Sequence, residues 1–166
     1  LALQEQPPVA TLLGDDDPDV LLRRVSAAGR AIAYASDEAW YRVGRVTARK
    51  RTLNPVRRLR SSRPERAPLA EGVVVQDGEA VLAVDARPDR DPVLMLRAAA
   101  AAAQAGLRLS PHAVERLAAE SAPLPEPWPV AARDSLVSLL GAGRAAIPVW
   151  EALDQADLIS RLIPEW

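Results

Sequence analysis

The chain has 166 residues, 49% of them hydrophobic, 26% charged and 4% aromatic, with no phenylalanine. That composition suits one soluble domain of ordinary size, or one with an appendage. A formal net charge of −1 gives no general argument for nucleic acid or an anionic membrane, and the lack of cysteine excludes disulfides, thiolate metal sites and thiol catalysis.

The apolar content leans on alanine, so many close helix contacts must stand in for a few large buried side chains. No apolar run approaches the roughly 20 residues that span a bilayer, and no signal peptide opens the chain, so a cytoplasmic location is expected. The chain starts at Leu1 rather than methionine and stops at Trp166, as a piece of a longer polypeptide would. Lys50 is the only lysine among many arginines, a bias typical of GC-rich coding sequence.

Residues 1–50 form the first segment. Residues 1–14 read as a helix tail or connector, interrupted by Pro7-Pro8. Asp15-Asp16-Asp17-Pro18 is a helix start: Asp17 can cap, Pro18 suits the first helical position, and the acids suit the positive helix end. Leu22, Val25, Gly29, Ile32, Ser36, Ala39, Val43 and Val46 then alternate by three and four, which predicts one helix to about Lys50. At 1.5 Å per residue it is about 45 Å long. Gly29 and Gly44 weaken it locally but permit close approach of a neighbouring helix.

Residues 51–70 hold Pro55, Pro64 and Pro68 among arginines and show no periodicity, as expected of a basic, mobile loop. Its length argues for disorder or an interaction role. Residues 71–86 carry two β-rich runs around Asp77-Gly78, a short hairpin signal. A lone hairpin is marginal in water, so it should lie against the helices. Residues 87–166 form the C-terminal helical part. Asp91-Pro92 starts a helix that ends near Gly106, and Ser110-Pro111 starts another. The stretch from Pro123 to Pro129 is extended. A helix runs from Val130 to Leu140, stopped by Gly141, and two short helices with a break near Asp157 precede Pro164. The expected class is all-α: a helical bundle with one long N-terminal helix and a small β-hairpin insertion.

Candidate chemistry is sparse. His112 is the only histidine; a base or metal ligand is conceivable, but it sits in a helix's first turn, where a surface or capping role suffices. Asp15-Asp16-Asp17 has the residue type for Mg²⁺, yet a helix cap explains it. In the basic loop, Arg57, Arg58, Arg60 and Arg63 are candidate contacts for phosphate or an acidic partner, because guanidinium forks pair two oxygens at once. The competing reading is a solvated linker. Without interleaved aromatics, single-strand stacking is not expected there. Trp40 and Trp150 read as core anchors. Trp128, between prolines, reads as a clamp over the core or a binding residue. Ala98 to Ala103 reads as a close-packing helix surface. Gly141-Ala142-Gly143 is not a phosphate loop, and a helix stop accounts for it.

Several segments, taken in order, resemble one family. They are Leu3-Gln4-Glu5-Gln6 with Val9-Ala10-Thr11-Leu12-Leu13-Gly14, the long helix from Asp19 to Val46, and the hairpin at Asp77-Gly78. Asp91-Pro92-Val93-Leu94-Met95-Leu96 follows, then Ala105-Gly106-Leu107 with Leu109-Ser110-Pro111, and finally Val149-Trp150-Glu151-Ala152-Leu153 through Ile163-Pro164-Glu165-Trp166. Together they resemble the bacterial PII-protein uridylyltransferase/uridylyl-removing enzymes, in an arginine-heavy, actinobacterial style. The set is specific; no single motif is.

The resemblance implies a longer parent. Its N-terminal nucleotidyltransferase domain carries a Gly-Ser or Gly-Gly motif and an Asp-x-Asp pair, a histidine-aspartate phosphohydrolase domain removes the nucleotide, and ACT domains sense glutamine. None of those signatures occurs here. Asp15-Asp16-Asp17 lacks the preceding strand, and His112 has no His-Asp pair, so no catalytic or metal-binding residue carries over. The implied placement is the helical region between the two active domains. The parent would need Mg²⁺ and UTP or ATP, and would meet PII signal protein, in nitrogen regulation. This chain would hold no cofactor itself and would contact the neighbouring nucleotidyltransferase and phosphohydrolase domains. Apolar surface on its last helices would let the isolated chain pair with itself. The alternatives are a stand-alone helical interaction module, or the equivalent region of glutamine-synthetase adenylyltransferase.

Overall fold

The structure, a computed structural model, describes residues 3–15, 17–51 and 67–164. The chain divides into two compact units, Leu1–Asn54 and Pro55–Trp166.

In the first unit a 3-10 turn, Leu3–Glu5, leads into α1, Gln6–Leu12. Pro7 and Pro8 do not interrupt a helix, as their pairing suggested; they lie in the first turn of α1, where the backbone N–H they lack has no intrahelical acceptor. α1 ends in a Schellman turn. Gly14 takes a left-handed φ of 79°, its N–H bonds to Thr11 O at 3.1 Å, and Asp15 N–H reaches Ala10 O at 2.9 Å. α2, Pro18–Arg51, is the expected long helix. Asp17 caps it as predicted, its Oδ1 accepting from Asp19 N–H at 2.9 Å. Ala10 and Leu21 are buried where α1 meets α2.

The second unit opens with an antiparallel sheet of three strands in the order β1-β2-β3: β1 Ala67–Ala70, β2 Val73–Gln76 and β3 Glu79–Leu82. The predicted hairpin is β2–β3. Asp77 at φ 53° and Gly78 at φ 81° make its two-residue turn, the mirror-image geometry that matches strand twist. The third strand was not anticipated. Pro68 hides it in the sequence, yet Pro68 lies opposite Val74 on an edge strand, a sheet position that tolerates proline. On the other side, Ala80 N–H donates to Arg108 O and Ser110 N–H donates to Ala80 O, both at 2.9 Å, so β3 gains a one-residue parallel bridge.

α3, Leu94–Gln104, is the central helix, with Leu94, Met95, Leu96 and most of its alanines buried. A helix apolar nearly all round belongs in the middle of a core. It packs on α5, Val130–Gly141, on α6, Ala146–Gln155, and on the sheet. Asp91 starts it from one turn upstream: Oδ1 accepts from Val93 N–H at 3.1 Å while Oδ2 accepts from Arg97 Nη1 at 2.7 Å. α3 ends in the same way as α1, with Gly106 left-handed and Leu107 N–H bonded to Ala102 O at 2.9 Å.

α4, Pro111–Glu120, is capped by Ser110 Oγ, which accepts from Ala113 N–H at 3.1 Å. Asp157, left-handed at φ 56°, makes the expected break before α7, Leu158–Leu162. The core is built from Val73, Leu94, Leu96, Leu117, Leu139, Val149, Leu153, Leu158 and Ile159, all fully buried.

Candidate functional site

Arg57, Arg58, Arg60 and Arg63 lie outside the described residues. The acidic start of α2 is occupied structurally. Asp15 takes both carboxylate oxygens to Arg24 Nη1, at 2.8 and 2.7 Å, and Asp17 is the cap; Asp16 lies outside the described residues. His112 is exposed in the first turn of α4. Among the described residues no three His, Cys, Asp or Glu side chains converge to hold a metal ion, so the donor set that Mg²⁺ needs is not met there. The electrostatic feature that stands out is an exposed pair in the turn before α3. The hydrogen bond from Arg87, with its charge, holds the Asp89 carboxyl below the usual carboxylate range.

One concave feature of the second unit is a cleft of about 430 Å³ between the start of α3, the extended stretch 121–128 and α7. Its floor is Met95 and Leu158, buried because α3 and α7 present their apolar faces inward. Trp128 lines one wall and is half-buried. Arg161 lines the other wall. Its Nη1 donates to Ala118 O at 2.7 Å, which ties α7 to α4. Ser121 Oγ is enclosed without a hydrogen-bond partner among the described residues. An aromatic wall, a guanidinium and an unsatisfied hydroxyl over an apolar floor suit an amphipathic group, such as a side chain of an adjoining protein segment. Sequence reasoning singles out Trp128 but not Ser121, a lone hydroxyl in an irregular stretch, nor Arg161, which no local pattern joins to it.

The tryptophans divide. Trp150 is half-buried on α6. Trp40, expected in the core, is 74% exposed on α2. Periodicity predicts a stripe of small and apolar side chains along that helix, and from Val25 to Val46 the stripe is exposed. Val25, Ile32, Val43 and Val46 on the same helix are also exposed. In the second unit, Val130, Val137, Leu140 and Ile147 are exposed along α5 and the start of α6. Among the described residues no single helix is long and apolar enough to cross a membrane.

No family model matches the chain, and no solved structure matches it. Curated proteins do. A bifunctional uridylyltransferase/uridylyl-removing enzyme of Streptomyces coelicolor is 59% identical over 173 residues, taking in the whole of this chain and 21% of that protein. The protein of that name in Mycobacterium tuberculosis H37Rv is 44% identical over 158 residues, 95% of this chain and 19% of its own length. That of Corynebacterium glutamicum is 39% identical over 102 residues, 61% of this chain and 14% of its own. The chain thus spans about a fifth or less of the length of the relatives it matches.

Proposed function

We propose that this chain, which belongs with the bifunctional uridylyltransferase/uridylyl-removing enzymes as one stretch of such a polypeptide, is a non-catalytic helical scaffold lying between their two active domains. The observation that carries this reading is the match itself: the whole chain aligns at 59% identity with a fifth of a named bifunctional enzyme. The side-chain chemistry agrees with it, since Asp15, Asp17 and Asp91 are engaged in an ion pair or in helix starts.

The physical task of a scaffold is to fix distance and direction. A packed helical core does this better than a flexible tether, because displacement at one end is carried through close contacts to the other. The parent's transfer chemistry, with Mg²⁺ and UTP or ATP, and the removal chemistry then belong to residues outside this chain. PII signal protein is the partner of the whole enzyme, in the cytoplasm and in nitrogen regulation. Arg57, Arg58, Arg60 and Arg63 supply positive charge that steers it.

The purified chain, incubated with PII protein, Mg²⁺ and UTP or ATP, is expected to transfer no nucleotide. Transfer by the chain alone would overturn the reading. In the full-length enzyme, changing the four loop arginines to serine should weaken PII binding and flatten its salt dependence. Unchanged affinity removes the steering role and leaves the scaffold standing.

A further inference from the structure

We infer that one face of α2 is a helix-docking seam, covered in the whole enzyme by a helix from the part of the same polypeptide that lies outside this chain. The inference rests on the scaffold reading and adds a specific contact to it.

The seam is a strict heptad. Leu22, Gly29, Ser36 and Val43 recur every seven residues, and Val25, Ile32, Ala39 and Val46 recur every seven residues three positions later. A straight α-helix drifts by about 20° per heptad against such a repeat, so a sequence that keeps it is matched to a partner helix wound round it. The repeat runs over about 36 Å of α2 at 1.5 Å per residue. The flanking positions Ser26, Ala28, Ala33, Ala35 and Trp40 carry no charge; the charged Arg23, Arg24, Arg30, Asp37, Glu38 and Arg45 fall on the rest of the helix. Gly29, Ser36 and Ala39 place the smallest side chains at the middle of the seam, where two helix axes come closest.

This face is bare. Val25 is 54% exposed, Ile32 69%, Val43 50% and Val46 57%. An apolar strip this long, free of charge between its first and last residues, is a recognition surface. The sequence keeps a geometry on it that solvent does not need. The occupant follows from the length comparison. About four-fifths of each related enzyme lies beyond the stretch that this chain matches. A helix on the same polypeptide arrives at an effective concentration in the millimolar range, which outcompetes a second copy at cellular concentrations. Its own docking face must be mostly apolar, since within residues 22–46 Arg42 is the only charge bordering the seam.

The test is thiol accessibility in the full-length enzyme, with labelling located by peptide mass. This stretch contains no cysteine, so introduced thiols in it are read without background. Ser36→Cys reports the seam, and Ala27→Cys, exposed on the opposite face, reports open helix. In the full-length enzyme the Ser36→Cys thiol should react with a maleimide at least about tenfold more slowly than the Ala27→Cys thiol. In this chain alone the two should react alike. Equal reactivity in a full-length enzyme that retains both activities overturns the seam and leaves the scaffold reading intact. Protection that grows with protein concentration, in either form, overturns it in favour of self-pairing. Nucleotide transfer by this chain alone overturns the scaffold reading, whatever the thiols do.

Discussion

Gly72 shows how one atom can be excluded. It turns the chain between β1 and β2 at φ 74°, and a Cβ there would sit 2.9 Å from Leu94 Cδ1. Leu94 is fully buried, so its side chain would have to shift inside the core to admit it. Gly72→Ala should therefore cost about 1–2 kcal/mol from the left-handed backbone alone, with the clash added, read as a lowered urea midpoint. Ser110 is a second such position. Its hydroxyl satisfies the Ala113 N–H, and Ser110→Ala should cost about 1 kcal/mol by the same measurement. Asp89 offers a pH test. Its carboxyl titrates below the usual range because Arg87 hydrogen-bonds and attracts its charged form. A depressed carboxylate favours the folded state above its unfolded pKa and loses that contribution as pH falls through the folded value. Both side chains are exposed, so the effect belongs to titration more than to stability. NMR titration should show the Asp89 midpoint rising toward the ordinary carboxylate value in Arg87→Ala.

At the scale of elements, α3 explains why so much alanine suffices. Ala98, Ala99, Ala102 and Ala103 are fully buried, and α5 lies against this helix, with Gln104 Nε2 donating to Ser138 O at 2.7 Å. Ala102→Leu should be destabilising by about 1–3 kcal/mol in chemical denaturation, because the approach leaves no room for three more carbons. That surface was legible beforehand, as were the starts at Asp17-Pro18 and Ser110-Pro111, the turn at Asp77-Gly78 and the break at Asp157. Each is a local stereochemical signal, complete within a few residues. β1 was not legible, because strand pairing is a property of two segments and Pro68 argues against a strand until its edge position is known. Pro7-Pro8 misled for a related reason: proline ends a helix or begins one, and only the flanking hydrogen bonds decide which.

At the scale of the molecule, the same division governs the candidate site. Trp128 was visible as an aromatic among prolines. The cleft was not, since it needs Met95, Ser121 and Arg161 brought together from α3, the stretch after α4, and α7. Trp40 reads as a core residue because a helical face looks the same in sequence whether it is covered or exposed. Val137, Leu140 and Ile147 raise that question for the second unit. Leu140→Glu should leave the chain's own denaturation midpoint within about 0.5 kcal/mol of wild type, as surface changes do. In the full-length enzyme it should lower the thermal midpoint if a neighbouring domain rests there, which scanning calorimetry reads directly.

The bridge at Ala80 has a consequence for how damage spreads. The backbone of Arg108 and Ser110 grips the margin of the sheet, and Ser110 is also the residue from which α4 departs, with Leu109 buried between them. Strand and helix thus share one stitch, and neither can loosen by itself. Leu109→Ala should speed hydrogen exchange at Ala80 and at Ala113 to the same degree, as a seam opens on both pieces of cloth at once.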